Sequence, residues 1–104
     1  MALSKRFKIS HHDNAIKDLD DAVNYYHLKQ SGLGKRFYLA YKKMLKTIKR
    51  NPHYRIFYDD VHCLQVDAFP YLVHFTIDIP KRIVTVYAII CTHKNPDDAY
   101  LNKP

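Results

Sequence analysis

Apolar positions along this chain follow two periods, and the switch between them predicts its elements. Polar and apolar residues alternate over Ser4-Lys5-Arg6-Phe7-Lys8-Ile9, which predicts a short edge strand whose basic side chains discourage edge-to-edge pairing. Ser10 to Asp13 then forms a helix entry. Ala15, Ile16, Leu19, Ala22, Val23 and Tyr26 recur at three- and four-residue steps, so a helix over about residues 13–30 carries one apolar face, with Asp13 placed where the helix dipole favours it. The only two glycines bracket Leu33 in Ser31-Gly32-Leu33-Gly34, a turn that closes this helix and opens a second over about 34–50. Leu33, Phe37, Ala40, Tyr41, Met44, Leu45 and Ile48 form its apolar stripe, and Asn51-Pro52 stops it because a residue before proline avoids helical angles.

Beyond Pro52 the period drops to two. Arg55 to Tyr58 precedes a turn at Asp59-Asp60, and Val61 to Val66 follows. Phe69-Pro70-Tyr71-Leu72-Val73-His74-Phe75 and Arg82 to Ile90 then flank Asp78-Ile79-Pro80-Lys81 as an antiparallel hairpin. Asp97 to Leu101 makes at most one helical turn. The expected fold is α+β, of order β-α-α-β-β-β: a helical hairpin packed on one face of a mainly antiparallel four-stranded sheet, in one domain over 1–104. Alternation assigns Tyr71, Val73, Phe75 and Ile77 to the helix-covered side, together with Val84, Val86, Ala88 and Ile90. The open side then carries Leu72, His74, Thr76 and Asp78 on one strand, Ile83, Thr85, Tyr87, Ile89, Cys91 and His93 on the next, and Cys63, Gln65 and Asp67 on the preceding one.

Composition sharpens this picture in three ways. The 47% hydrophobic content with nine Tyr marks a globular chain. No apolar run of membrane-spanning length and no leader peptide is present, so a cytoplasmic protein is expected, without membrane attachment. Cys63 and Cys91 are most simply reduced thiols on strands that could be neighbours, and the seven scattered His show no metal-ligand spacing, so neither a metal nor a cofactor is expected.

Charge changes it further. The net charge of +7 implies an acidic partner, and all ten acids are Asp, four of them between residues 13 and 21. The cations gather on the second helix as Lys35, Arg36, Lys42, Lys43, Lys46, Lys49 and Arg50, with no acid among them. Such a face is either solvated or meets a partner, and its like charges destabilise the helix slightly.

The open sheet face is the place to look for chemistry. Imidazoles suit proton transfer at neutral pH, and cleavage of RNA at its 2′-OH needs a base, an acid and cations on the phosphate. His74, His93, Lys94, Tyr87 and Arg82 are the candidates, although each His could equally be a strand residue with one hydrogen bond.

The element order, Gly32-Leu33-Gly34-Lys35-Arg36-Phe37, Asn51-Pro52, Phe69-Pro70-Tyr71 and Asn95-Pro96 together resemble the RelE/ParE superfamily of type II toxin–antitoxin toxins over nearly the whole chain. The Gly-Leu-Gly turn and Phe-Pro-Tyr strand are more similar to the ParE branch. The resemblance implies a toxin linked to plasmid stabilisation, inhibiting DNA gyrase without catalysis of its own and held inactive by a cognate antitoxin whose C-terminal segment wraps its helices and sheet; an acidic tail of that antitoxin would bind the basic second helix through charge. The alternatives it leaves are a RelE-like mRNA endonuclease acting on the ribosome, and a non-toxic binding module on the toxin fold. Whether the chain is an enzyme turns on that choice, and a homodimer stays open. The chain departs from the family where such toxins commonly show cations or His, with His62-Cys63-Leu64-Gln65-Val66-Asp67-Ala68 before Phe69 and Cys91-Thr92-His93-Lys94 at the exit of the last strand. Lys94 in an Arg slot cannot reproduce the bidentate fork of a guanidinium.

Overall fold

The computed structural model describes residues 7–52, 56–58 and 60–92. Strand β1 (Lys8–His11) leads into helix α1 (Asp13–Lys29), which is followed by α2 (Leu33–Arg50) and strands β2 (Ile56–Tyr58), β3 (Val61–Gln65), β4 (Tyr71–Asp78) and β5 (Ile83–Cys91). The sheet order is β1-β5-β4-β3-β2, with β2 to β5 an antiparallel meander and β1 parallel to β5. This is the expected β-α-α-β-β-β arrangement, with the three-residue β2 adding a fifth strand at the far edge and β1 making the sheet mixed. Residues 97–101 lie outside the described residues.

Local chemistry explains the hairpin of helices. His12 caps α1, its Nδ1 accepting from the Asn14 amide at 3.2 Å. Gly32 adopts φ +82 at the entry to α2, a left-handed conformation that other residues avoid. Gly34 serves a different end: a Cβ there would stand 2.6 Å from the Val23 carbonyl oxygen of α1, so only glycine lets the two helices approach this closely.

Both helices bury one stripe against one side of the sheet. In α1 this stripe is Ala15, Ala22 and Tyr26, while Ile16, expected inside, is 47% exposed. In α2 it is Leu33, Phe37, Tyr41, Met44, Leu45 and Ile48, as the periodicity predicts. Fully buried Tyr26 is the hub, with its ring centroid 5.1 Å from Phe69, 5.4 Å from Phe37 and 6.1 Å from Tyr71. Such aromatic pairs add about 0.5–1.5 kcal/mol each beyond the area they bury. Phe69-Pro70-Tyr71 is thus a packing device that pins the start of β4 under the helical hairpin. His11 ties β1 to α2 through a 2.7 Å contact between its Nε2 and the Tyr41 hydroxyl.

Candidate functional site

The helix-free face of the sheet is built by strand register. Cys63, His74 and Ala88 form one row across β3, β4 and β5, and Gln65, Leu72 and Ile90 form the next. Thr76 faces Thr85 further along, beside Ser10 of β1.

Register also overturns part of the expected parity. Phe75 pairs with Val86 and His74 with Ala88, which leaves Tyr87 as an extra, unpaired residue in β5. Such a bulge shifts the alternation by one residue. Up to Val86 the expected core positions hold. Beyond it they exchange: Ile89 is buried and Cys91 packs against the core, while Ala88 and Ile90 turn to the outer face, Ile90 being 49% exposed. The two free cysteines therefore occupy opposite faces with β4 between them, not adjacent positions.

The candidate catalytic residues do not converge. His74 is on the outer face yet only 8% exposed, with its Nδ1 3.5 Å from Cys63 Sγ. Burial pushes the imidazole below its ordinary value and the Cys63 thiol above its own, so both are neutral at pH 7. Arg82 sits at the other end of β5 with its guanidinium carbon 4.4 Å over the buried Phe7 ring. Six residues of strand, about 20 Å, separate it from Ala88 in the His74 row. Tyr87 is exposed, 5.7 Å from the His12 ring, and lines a shallow 570 Å³ cavity with Asp60, Thr76, Asp78 and Thr85. His93 and Lys94 lie outside the described residues.

Among the described residues this face carries few cations. Strands β3, β4 and β5 contain no Lys or Arg, and the register places Lys8 of β1 beside Ile83 on their outer side. The cavity beside Tyr87 is lined instead by two carboxylates, which repel a phosphate. Among the described residues no group of three or more His, Cys or Asp side chains is arranged to hold a metal ion.

The opposite layer presents the cations. At 100° per residue, the seven Lys and Arg of α2 fall within an arc of about 140°, about 22 Å long. All are exposed except half-buried Lys49. Lys35 and Arg36 occupy the first turn, where the helix dipole disfavours cations, and no acidic residue sits there to offset them. Leu39, 54% exposed, lies near the middle of the arc, and Tyr38 at its margin packs under the Lys42 ammonium at 5.8 Å. Sequence reading found the charges and overlooked Leu39, which a helical projection places among them. It also overlooked Asp18, whose carboxylate accepts the Ile89 amide at 3.0 Å where β1 no longer covers β5. No signal in α1 distinguishes that carboxylate from its neighbours.

None of the family models and none of the curated proteins compared matches the sequence. Solved structures do match. A chain of the chromosomal ParDE TA system from P. aeruginosa aligns with a TM-score of 0.69 at 14% identity, covering 84% of this chain and 97% of that one. The E. coli RelBE toxin–antitoxin complex gives 0.63 at 13%, over 85% and 99%, and the isolated E. coli RelE toxin gives 0.55 at 10%, over 93% and 96%. At such identities the likeness is one of architecture, and on it the chain adopts the fold of the RelE/ParE toxin superfamily.

Proposed function

We propose that this chain is the toxin of a type II toxin–antitoxin pair, a single-domain, ParE-like inhibitor of DNA gyrase that acts in the cytoplasm without catalysis of its own. Its cognate antitoxin is an acidic protein lying across Lys35, Arg36, Lys42, Lys43, Lys46, Lys49 and Arg50. The observation that carries this reading is the division of charge between the layers. Among the described residues the outer sheet face of β3 to β5 has no Lys or Arg and a buried, neutral His74, which supports a reading without RNA cleavage, since that chemistry draws on cations to stabilise a phosphorane-like transition state. The cations sit instead on α2, two of them in its first turn against the helix dipole, a placement that favours binding over stability. Resemblance of fold to chains from the ParDE system and the RelBE complex supports an antitoxin partner.

Induced expression in E. coli without an antitoxin tests it. Growth arrest with a DNA-damage response and falling plasmid supercoiling is expected. Immediate translation arrest with messenger RNA cut in the ribosomal A site would replace the reading with the endonuclease one. Unimpaired growth would leave a non-toxic binding module on the toxin fold. The reading frame beside the gene should encode a short acidic protein with a DNA-binding N-terminus.

A further inference from the structure

The two faces of this molecule lie on opposite sides of its sheet, and this limits how a partner on α2 could silence it. A segment lying along the cationic arc has the helix layer and the sheet between itself and the outer face, so it cannot cover that face directly. We propose that the exposed face of α2 is itself the surface with which the protein engages its cellular target, an acidic protein surface with an apolar recess for Leu39. The antitoxin then neutralises by occupying the same residues. This rests on the toxin reading above.

Three observations carry it. The arc is charged at a cost to the helix, with Lys35 and Arg36 in the first turn, so its charges serve association. No other described surface is comparably cationic: β3, β4 and β5 contain no Lys or Arg. Leu39 is 54% exposed between Lys35, Lys42, Lys43 and Lys46. A phosphate backbone offers charge and hydrogen-bond acceptors but nothing that uses a leucine, whereas protein interfaces centre on an apolar anchor rimmed by polar groups. Charge complementarity together with that anchor selects an acidic protein over a nucleic acid.

The experiment expresses Leu39→Asp and Lys42→Glu/Lys46→Glu in E. coli with no antitoxin present. Lys17→Glu/Lys81→Glu, exposed residues off the arc, serves as the charge-matched control. Purified samples are checked by thermal melting and for inhibition of DNA gyrase supercoiling. Both arc variants should melt as the wild type does and lose growth and gyrase inhibition by about tenfold or more, the scale of one interface anchor, while the control keeps both. If the double variant fails to fold, Leu39→Asp decides alone. Full toxicity in folded arc variants overturns the proposal and leaves the toxin reading standing. Loss in the lysine variant but not in Leu39→Asp, accompanied by loss of binding to a 20-bp DNA duplex, assigns the arc to nucleic acid and also overturns it. A harmless wild-type protein removes the toxin reading and this inference together.

Discussion

Replacing Gly34 by alanine isolates the contact that sets α2 against α1. Intrinsic propensity alone makes this change favourable by at most about 1 kcal/mol, the gain of alanine over glycine in a helix interior, since Gly34 is the second residue of α2. The geometry opposes it. The new Cβ would stand 2.6 Å from the Val23 carbonyl oxygen and 3.1 Å from both the His27 amide nitrogen and its Cβ. Ordinary contact begins at 3.4 Å, so the closest approach falls 0.8 Å short (3.4 − 2.6). Val23 O is a backbone atom inside α1 and cannot rotate away, so one helix must shift. Overpacking of this kind costs about 1–3 kcal/mol, and the steric term here belongs at the upper end. After the propensity gain, a net loss of about 1–2 kcal/mol remains, which lowers the melting temperature of a domain this size by roughly 5–10 °C.

Gly32→Ala supplies the contrast. Its Cβ meets nothing within 4 Å, and its cost is that of φ +82, about 1–2 kcal/mol. Gly32→Asn should therefore recover part of that loss, because asparagine tolerates the left-handed region, whereas Gly34→Ser should be as poor as alanine. Thermal and urea unfolding of the four purified variants measures this directly. A Gly34→Ala protein as stable as the wild type, or more so, would refute the close-approach argument and with it the fixed placement of the cationic face.

Three further predictions follow from the titrating and polar groups. His11 and His74 are both held below the ordinary imidazole value, His11 first by burial and then by Lys42, His74 by burial. The unfolded chain therefore takes up protons near pH 6.5 while the folded one does not, so their stabilising contribution, complete above 6.5, should fade as pH drops through it; a urea midpoint flat from pH 8 to 5 would contradict this. Burial raises the Cys63 thiol, so in a Cys91→Ser background its alkylation by iodoacetamide should have a pH midpoint above 9.0, and a midpoint near neutrality would indicate an activated thiolate instead. Asp18→Ala removes the acceptor of the Ile89 amide and should cost about 1–2 kcal/mol with faster hydrogen exchange at Ile89; Asp18→Asn keeps an acceptor and should exchange close to the wild-type rate.

How far the fold could be read from residues depended on whether each signal was local. The 3.6-residue stripes of α1 and α2, the glycine pair and Asn51-Pro52 are complete within a few positions, and both helices end within a residue of where periodicity places them. The β4–β5 turn is equally local: the Asp78 carboxylate accepts the Lys81 amide at 3.0 Å and Arg82 takes φ 55. Register was not local. The extra residue at Tyr87 is set by how β4 and β5 pair, and nothing in Val86-Tyr87-Ala88-Ile89-Ile90 marks it, since all five can face a core. The parallel pairing of β1 with β5 leaves equally little trace in a six-residue alternation. The burial of His74 also depends on neighbours that an isolated strand does not reveal.

That single inserted residue decides more of the functional question than any of the candidate side chains. Without the bulge, Cys91 would share the outer face with His74, and its thiol would read as part of an open surface. With it, Cys91 turns inward opposite Tyr71, and the proximity of its thiol contributes, after burial, to pushing that phenol up to about 12. Position 91 is then a packing position in this chain. Burial also removes its neighbour Tyr71 as a proton donor near neutral pH. The absence of Lys and Arg from β3 to β5, the inward rotation of Cys91 and the Cys63–His74 pair are independent in sequence, yet each withdraws reactive chemistry from the same sheet. The concentration of charge on α2 runs in the opposite direction. The described cations gather on α2 and not on β3 to β5, so the helix is where the specificity of the proposed partner contact should be sought.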